Sequence, residues 1–370
     1  MFGKYDKTTF SNLRQQHNIM VLVGNGFDIA VLKKYKEGRM KGKTTSYQDF
    51  FEYITYYHLS DDSNILYRKM KEDKQLKRSN WSDFENSLQE LVLEGTVTID
   101  ELEKCVDEFQ EYFTRFLNEI VDSDVLLQLN IDAKNNQWAN QSMAHFLEDN
   151  IGGNLDFPNK TEHYDLFNYV FANFNYTYLL DNYIYLDKVQ FDPHYWPNAD
   201  RNFQFYLNPN LIPRRTTSWS SYVLCEVLHP HGTQNVPRSM LFGIDMPQYD
   251  KGRSVEKRLI KSYWSQYDVK YKPYMEEAEL FILFGMSLGK TDAWWFDEIY
   301  DALLNRDSEL IIYMYGDKSD DEVKQSFVDV CVRHHDDSTD NKEKIKNRIC
   351  VKTFVQNDTF FLGFKKNENE

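Results

Sequence analysis

Short, strongly apolar segments recur along the chain, and polar or glycine-rich residues follow most of them. Within these segments the apolar residues do not alternate with polar ones, which is typical of strands buried on both faces of a parallel sheet. The segments are IMVLV (19–23), YVFANF (169–174), VLCEVLH (223–229), MLFGI (240–244), LFILF (280–284), ELIIYMY (309–315) and ICVKTFV (349–355). The pattern predicts an α/β protein built on a mostly parallel sheet.

Between about residues 46 and 160 the pattern changes to that of helices. Helix also resumes from Thr291, where Asp292 suits the positive N-terminal end of a helix. Because strands alternate with helices elsewhere, we predict a doubly wound core formed by residues 14–45 and 161–364, with residues 46–160 inserted as a helical lobe. One long apolar helix face is expected in this lobe, formed by Leu102, Val106, Phe109, Phe113, Phe116 and Ile120.

Polar and glycine-rich clusters follow five of the predicted strands. Ligands bind outside the carboxyl ends of the strands in open parallel sheets, so we expect these clusters to build one site, which we interpret as a nucleotide site. The clusters are Gly24-Asn25-Gly26-Phe27-Asp28, Asn173-Phe174-Asn175-Tyr176-Thr177, His229-Pro230-His231-Gly232-Thr233, Ile244-Asp245 and Gly285-Met286-Ser287-Leu288-Gly289-Lys290-Thr291-Asp292.

Several of these residues have a structural interpretation beside a functional one. Gly24 and Gly26 allow a tight turn and let N–H groups approach an anion, although such turns are often only structural. Asp28 is either a helix cap or a hydrogen-bond partner of ribose or of a neighbouring loop. Asn175 either satisfies the loop backbone or acts in the site, and Ser287 either caps a turn or binds phosphate.

The two histidines of the LHPHG segment lie two residues apart. In an extended segment such side chains face the same way. One histidine alone is often a core residue. A pair at a strand end, followed by Gly232, favours general acid–base chemistry or metal binding, with His229 and His231 as the candidates.

Charge, cysteine content and the start of the chain narrow the classes of function. The net charge of −15 disfavours nucleic-acid binding, which depends on neutralisation of phosphates by Lys and Arg, although residues 33–43 are locally basic. The cysteines (Cys105, Cys225, Cys331 and Cys350) form no CxxC pair and suit reduced core positions. The chain has no long apolar run, so we expect a cytoplasmic protein that does not enter the membrane.

Seven stretches, in this order, resemble the AbiH family of bacteriophage abortive infection proteins. One departure is the basic segment 31–43, which stands where the family usually has a short glycine-rich turn. The resemblance implies a defence function, a phage-derived trigger or partner protein, and the option of homo-oligomers. The stretches are VLVGNGFDIA (21–30), TSYQDFFEY (45–53), WSDFENSL (81–88), FNYTYLLD (174–181), LHPHG (228–232), LFGID (241–245) and FGMSLGKTD (284–292).

More distantly, the chain is similar to Sir2-like proteins, which bind NAD and cleave its bond to nicotinamide. The likeness implies a Rossmann-like (Sir2-like) fold, NAD as the substrate, no metal, and His231 and Asn175 as catalytic residues. Asn25 and Met286 depart from the Sir2 pattern, and its zinc-ribbon cysteines are absent, which argues against protein deacetylation. The implied nucleotide contacts are Gly24, Asn25, Gly26, Phe27, Asp28, Tyr176, Gly285, Ser287, Leu288 and Asp292.

Three functions therefore stand at this point. The first is NAD glycohydrolysis, with His231 acting on a ribose hydroxyl or water, and the segments 45–53 and 81–88 at the base of the lobe beside the pocket. The second is a metal-dependent phosphoesterase or nuclease with His229, His231, Asp28 and Asp245 as ligands. The third is a nucleotide-binding sensor without turnover.

Overall fold

The computed structural model describes residues 1–136, 138–148, 155–162, 164–184, 203–205, 219–245, 259–355 and 362. Parts of the predicted core span 161–364 and of the predicted lobe therefore lie outside the described residues. The strands are β1 (Gln16–Val23), β2 (Leu166–Asn173), β3 (Phe203–Phe205), β4 (Trp219–Leu228), β5 (Leu280–Phe284), β6 (Glu309–Tyr315) and β7 (Ile349–Phe354).

The strands form one sheet in the order β3-β4-β2-β1-β5-β6-β7. Every pairing is parallel except that of β3 with β4 at one edge. The six parallel strands follow the doubly wound order 3-2-1-4-5-6, so the strand order reverses beside β1. The α/β, Rossmann-like fold predicted from the apolar segments is confirmed.

The central strand β1 is buried on both faces, as its continuous apolar pattern predicts. Ile19, Val21 and Val23 point into one core cluster, and Met20 and Leu22 point into the other. All five are fully buried. Burial on both sides explains why these residues do not alternate with polar ones.

Helices cover the sheet on both faces. Between β1 and β2 lie α1 (Asn25–Tyr35), α2 (Tyr47–Tyr56), α3 (Ile65–Gln75), α4 (Phe84–Glu94), α5 (Ile99–Ile120), α6 (Ser123–Asn136) and α7 (Trp138–Glu148). Later in the chain come the short helices α8 (Lys261–Trp264), α9 (Tyr267–Lys270) and α10 (Lys272–Glu277), followed by α11 (Ala293–Asn305), α12 (Asp320–Val330) and α13 (Thr339–Lys346). Whether residues 46–160 form a separate lobe stays a prediction.

The longest helix, α5, shows how its sequence fixes both its start and its packing. Thr98 and Glu101 form a capping box, in which each side chain hydrogen-bonds the backbone N–H of the other residue. The predicted apolar residues of α5 are all buried. They join the core cluster of the β1 face that contains Val21, so α5 shares one continuous apolar core with the sheet.

The prediction of a strand at residues 240–244 is wrong. Only one isolated bridge forms there, between Ile244 and Ile260. Side chains from distant parts of the chain bind the backbone of this segment instead. Gln110 donates to the carbonyl of Met240 at 2.7 Å, and the Tyr176 hydroxyl donates to that of Leu241 at 3.1 Å. The segment is apolar because it is buried in a loop.

Two further expectations concern burial and membrane crossing. Cys105, Cys225 and Cys331 are buried, and Cys350 is partly buried. The buried thiol predicted at Cys225 is confirmed. Across the described part of the chain, no helix has the length and apolar character needed to cross a membrane.

Candidate functional site

A cleft of about 560 Å³ opens at the carboxyl ends of the parallel strands, beside the point where the strand order reverses. Its volume lies within the roughly 300–1,000 Å³ range of small-molecule sites. The helices between β1 and β2 supply part of its wall. Among the lining residues are Gly24, Asn25, Gly26, Asp28, Tyr47, Asp83, Glu85, Asn175, Tyr176, His231, Lys261, Gly285, Ser287 and Asp292.

The glycines of the first loop are explained by close packing against the loop after β5. A Cβ atom on Gly26 would lie 2.7 Å from the Cα of Gly285, and one on Gly24 would lie 2.7 Å from its carbonyl oxygen. The N–H of Gly26 donates to Gly285, and the N–H of Gly24 donates to Phe284, each at 2.9 Å. Both N–H groups are therefore engaged within the protein, and neither is directed at an anion.

Polar side chains fasten the first loop to its neighbours. Asn175 donates to the carbonyl of Gly24 at 3.2 Å, and Asn25 exchanges hydrogen bonds with Thr45 just before α2. Asp28 accepts from the Thr177 hydroxyl at 2.7 Å. The helix-cap alternative for Asp28 is wrong, because Gly24 occupies the cap position of α1.

A buried chain of charged side chains crosses the cleft. The Nζ of Lys261 lies 2.9 Å from Glu85 of α4 and 3.4 Å from Asp292 at the start of α11. The Nε2 of His231 lies 3.2 Å from the same Asp292 oxygen, although the angles are not those of a hydrogen bond. Lys261 is 1% exposed in its side chain, so its charge depends on these carboxylates rather than on water.

Two effects set the pKa values of this network: burial, which disfavours the charged form of each group, and the charges of the neighbouring side chains. Burial alone would raise the pKa of Asp292, but Lys261 and His231 outweigh it and hold that pKa well below its usual range. Burial alone would lower the pKa of Lys261, but Asp292 and Glu85 raise it. Burial raises the pKa of Glu85 to about 7. Burial also lowers the pKa of His231, although the nearby Asp292 carboxylate acts in the opposite direction. The lowered pKa favours a neutral imidazole.

Aromatic side chains form the wall around His231. Its ring centroid lies 4.9 Å from that of Phe174 and 6.1 Å from that of Tyr176. Tyr176 in turn packs against Phe113 of α5, at 5.6 Å. The predicted position of the 45–53 segment beside the pocket is met by Tyr47, which lines the cleft.

Most of the residues implied as catalytic or as nucleotide contacts converge on this cleft, but two of them, Phe27 and Leu288, do not line it. Phe27 is buried in the core, edge-on to Tyr183 at 5.4 Å. Leu288 packs partly buried against the cluster on the other sheet face. The two are placed to support the loops rather than to touch a ligand in the cleft. The roles of the lining residues stay predictions.

The prediction that His229 and His231 face the same way is wrong. The strand β4 ends at Leu228 and a turn follows, in which the N–H of Gly232 donates to the carbonyl of His229. His231 lines the cleft, whereas His229 pairs with Asp181 at 3.1 Å. A period of two holds only while the backbone stays extended.

The proposed metal ligands do not come together. Asp245 accepts from the N–H of Trp294 at 3.2 Å and does not line the cleft with Asp28 and His231. Within the described ranges, no group of three or more His, Cys, Asp or Glu side chains is arranged to hold a metal ion.

Sequence reasoning missed the charged half of the site. Glu85 lies within the WSDFENSL stretch but was not proposed as a site residue, and Lys261 lies in no motif. Each looks like an ordinary surface charge in the sequence. Glu85 could have been proposed as a site residue because it lies at the start of α4, inside a stretch that carries the family resemblance.

Comparison with known proteins bears on the family alone. The family model described as "Bacteriophage abortive infection AbiH" matches residues 20–314, which is most of the chain and spans every cleft residue discussed above. No curated protein and no solved structure matches. The likeness to Sir2-like proteins stays a prediction. The chain belongs to the AbiH family of bacteriophage abortive infection proteins.

Proposed function

We propose that this chain serves abortive infection by hydrolysing the bond between ribose and nicotinamide in NAD. The observation that carries the proposal is a buried imidazole that faces an acid-lined cleft, with His231 held beside Asp292. Family membership supports the defence role, since loss of NAD stops the growth of an infected cell. The proposed chemistry rests on the cleft.

The reaction sets two requirements for the protein. The bond between C1′ and the nicotinamide nitrogen breaks, and its electron pair neutralises the leaving nicotinamide. The ribosyl carbon gains oxocarbenium character until water adds to C1′ and releases a proton. The products are nicotinamide, ADP-ribose and a proton. The site must therefore place negative charge near the sugar and supply a base.

The cleft residues fit these two requirements. Burial lowers the pKa of His231, so its neutral form is available near pH 7 to accept the proton. The lowered pKa of Asp292 keeps that carboxylate ionised beside the imidazole. Lys261 is a positioning residue, which holds Asp292 and Glu85 without being assigned a contact to substrate.

Asn175 is assigned to shape the site. The Sir2 likeness implies a catalytic role for it, and its contact with the carbonyl of Gly24 supports a further role in holding the first loop. Asn175 is 4% exposed, so its amide lies within the floor of the cleft rather than on the protein surface.

Product analysis tests the proposal. Purified protein is incubated with NAD, NADP and ATP, and the products are separated by chromatography. We expect release of nicotinamide and ADP-ribose from NAD. His231→Ala should lower this rate by roughly 10²- to 10⁴-fold through loss of the base, with a melting temperature close to that of the wild type.

The matched control is His229→Ala, because His229 pairs with Asp181 away from the cleft. It should retain turnover. Wild-type NAD consumption by a folded His231→Ala protein would overturn the assignment. Metal-dependent cleavage of a phosphate ester would instead favour the phosphoesterase alternative, and binding of NAD without consumption would favour the sensor.

A further inference from the structure

Asp28 carries a carboxylate oxygen that the rest of the described chain leaves without a partner. The residue is fully buried, and its Oδ2 accepts from the Thr177 hydroxyl. Its Oδ1 has no hydrogen-bond partner among the described residues. A buried carboxylate oxygen without a partner costs free energy, so its presence calls for an explanation.

Two other buried carboxylates, Glu85 and Asp73, are each paired with a cation. Glu85 pairs with Lys261 at 2.9 Å, and Asp73 of α3 lies 3.0 Å from both Lys69 and Arg78. Asp28 has no such cation, and burial raises its pKa to about 7. Unlike Asp73, it lines the cleft. Asp28 therefore combines a buried carboxylate oxygen that has no partner among the described residues with a place in the lining of the cleft.

The charges around Asp28 restrict what that ligand can be. Four acidic residues line the cleft: Asp28, Asp83, Glu85 and Asp292. Lys261 is the single Lys or Arg among the described lining residues, and it is already paired with two of them. A phosphate here would meet net negative charge, whereas hydroxyl groups and cationic rings would meet hydrogen-bond acceptors and favourable charge.

We propose that Asp28 is a substrate-binding residue whose unpartnered oxygen hydrogen-bonds to the hydroxyl groups of a ribosyl unit. The acidic part of the cleft then takes the phosphate-free, cationic end of the substrate, and the phosphates lie away from it. This inference rests on the proposed NAD reaction and names which half of the dinucleotide occupies the acid-lined part of the site.

Equilibrium binding of nicotinamide riboside, which carries the cationic ring and ribose without phosphate, tests the inference. The wild-type protein should bind the riboside, and inorganic pyrophosphate should not displace it. Asp28→Leu should weaken riboside binding roughly ten- to a hundredfold, as expected for loss of a hydrogen bond to a charged group. Asp28→Asn should weaken it less, because the amide keeps one acceptor oxygen.

The matched control is Asp73→Leu, which removes a buried carboxylate from an ion-paired position outside the cleft. It should lower the melting temperature and leave riboside affinity unchanged. Asp28→Leu should show the opposite pattern, with a melting temperature equal to or above that of the wild type, because an unpartnered charge is removed. If Asp28→Leu does not fold, Asp28→Asn carries the test.

Three results would overturn the inference: absence of riboside binding to the wild type, wild-type affinity in a folded Asp28 variant, or competitive displacement by pyrophosphate. Failure of the proposed reaction is distinguishable, because riboside binding requires no turnover. A protein that binds the riboside through Asp28 but releases no nicotinamide from NAD would keep this inference and reject the reaction.

Discussion

His17 and His231 are both buried, at opposite edges of the same sheet, and their surroundings differ. His17 lies near the start of β1, where its Nδ1 is 2.9 Å from Glu279 and its Nε2 is 3.1 Å from Asp165. The rings of Phe157 and Phe167 flank it at 5.3 and 5.6 Å. Both ring nitrogens are therefore paired, and apolar rings pack beside the imidazole.

His231 follows the carboxyl end of β4 and has one carboxylate nearby instead of two. Asp292 is shared with Lys261, whose positive charge opposes protonation of the imidazole. Burial alone would lower the pKa of both histidines. At His17 the two carboxylates outweigh burial and raise the pKa to about 9, whereas at His231 burial prevails and the pKa is lowered.

The charged groups around each histidine distinguish a stabilising residue, His17, from the candidate base, His231. A protonated His17 joins three segments of the chain at the amino-terminal edge of the sheet. His231 stays neutral beside a cleft that also contains an unpartnered carboxylate. Groups that are costly to bury are thus concentrated at one edge, as expected where a site must bind a ligand.

The largest expected effect on stability is at the cleft edge, with Lys261→Met. Loss of this cation leaves Glu85 and Asp292 buried together without compensation, which should cost about 3–5 kcal/mol of unfolding free energy. Denaturant titration measures it. The partly exposed Lys43, which pairs with Glu52 and Asp49, is the control, and Lys43→Met should cost less than about 1 kcal/mol.

A double variant sharpens this prediction. Adding Glu85→Gln to Lys261→Met removes both partners and should restore part of the lost stability. Equal stability losses for Lys261→Met and Lys43→Met would contradict the view that the buried network is held together by Lys261.

The second prediction concerns the pH dependence of the stability that His17 contributes at the amino-terminal edge of the sheet. The folded-state pKa of His17, about 9, lies above its ordinary value of 6.5. Its stabilisation is therefore fully present below pH 6.5 and is lost as the pH rises through about 9, with a total on the order of 3 kcal/mol. His17→Leu should abolish this decline in unfolding free energy between pH 6.5 and 9.

Exposed His335 provides the control, since His335→Leu should keep the wild-type pH profile. Turnover of NAD by folded His17→Leu protein should match that of the wild type at pH 6.5, because His17 lies at the edge away from the cleft. If the unfolding free energy of the wild type does not fall between pH 6.5 and 9, His17 does not stabilise the fold through its two carboxylates.

The smallest expected effect tests the packing beneath the cleft. Gly26→Ala would bring a Cβ atom to 2.7 Å from the Gly285 backbone, and relief of this overlap should cost about 1–3 kcal/mol. Gly289→Ala is the matched control. Its Cβ would meet nothing closer than 3.5 Å, so it should change the unfolding free energy by less than about 0.5 kcal/mol. Equal costs would rule out close packing as the reason for Gly26.

Local patterns along the chain predict most of the elements and the edge of the sheet at which the site lies. Runs such as IMVLV and LFILF are apolar on both faces, and that local property identifies a strand covered from both sides. Parallel strands bring their carboxyl ends to one edge, so the loops that contain Gly24, Asn175 and His231 had to meet there. The same local signals failed at residues 240–244, where burial occurs without a strand.

The packing of distant segments sets which charges and atoms face one another, and no local pattern predicts it. Glu85 and Lys261 are 176 residues apart in the sequence and meet because the start of α4 lies beside the start of α8. A turn after β4 gives His229 and His231 different partners, and no hydrogen-bond donor among the described residues reaches the Oδ1 of Asp28. Periodicity and turn chemistry act over a few residues and can be read locally. Ion pairs and their pKa values depend on distance and burial, which only the packed chain sets.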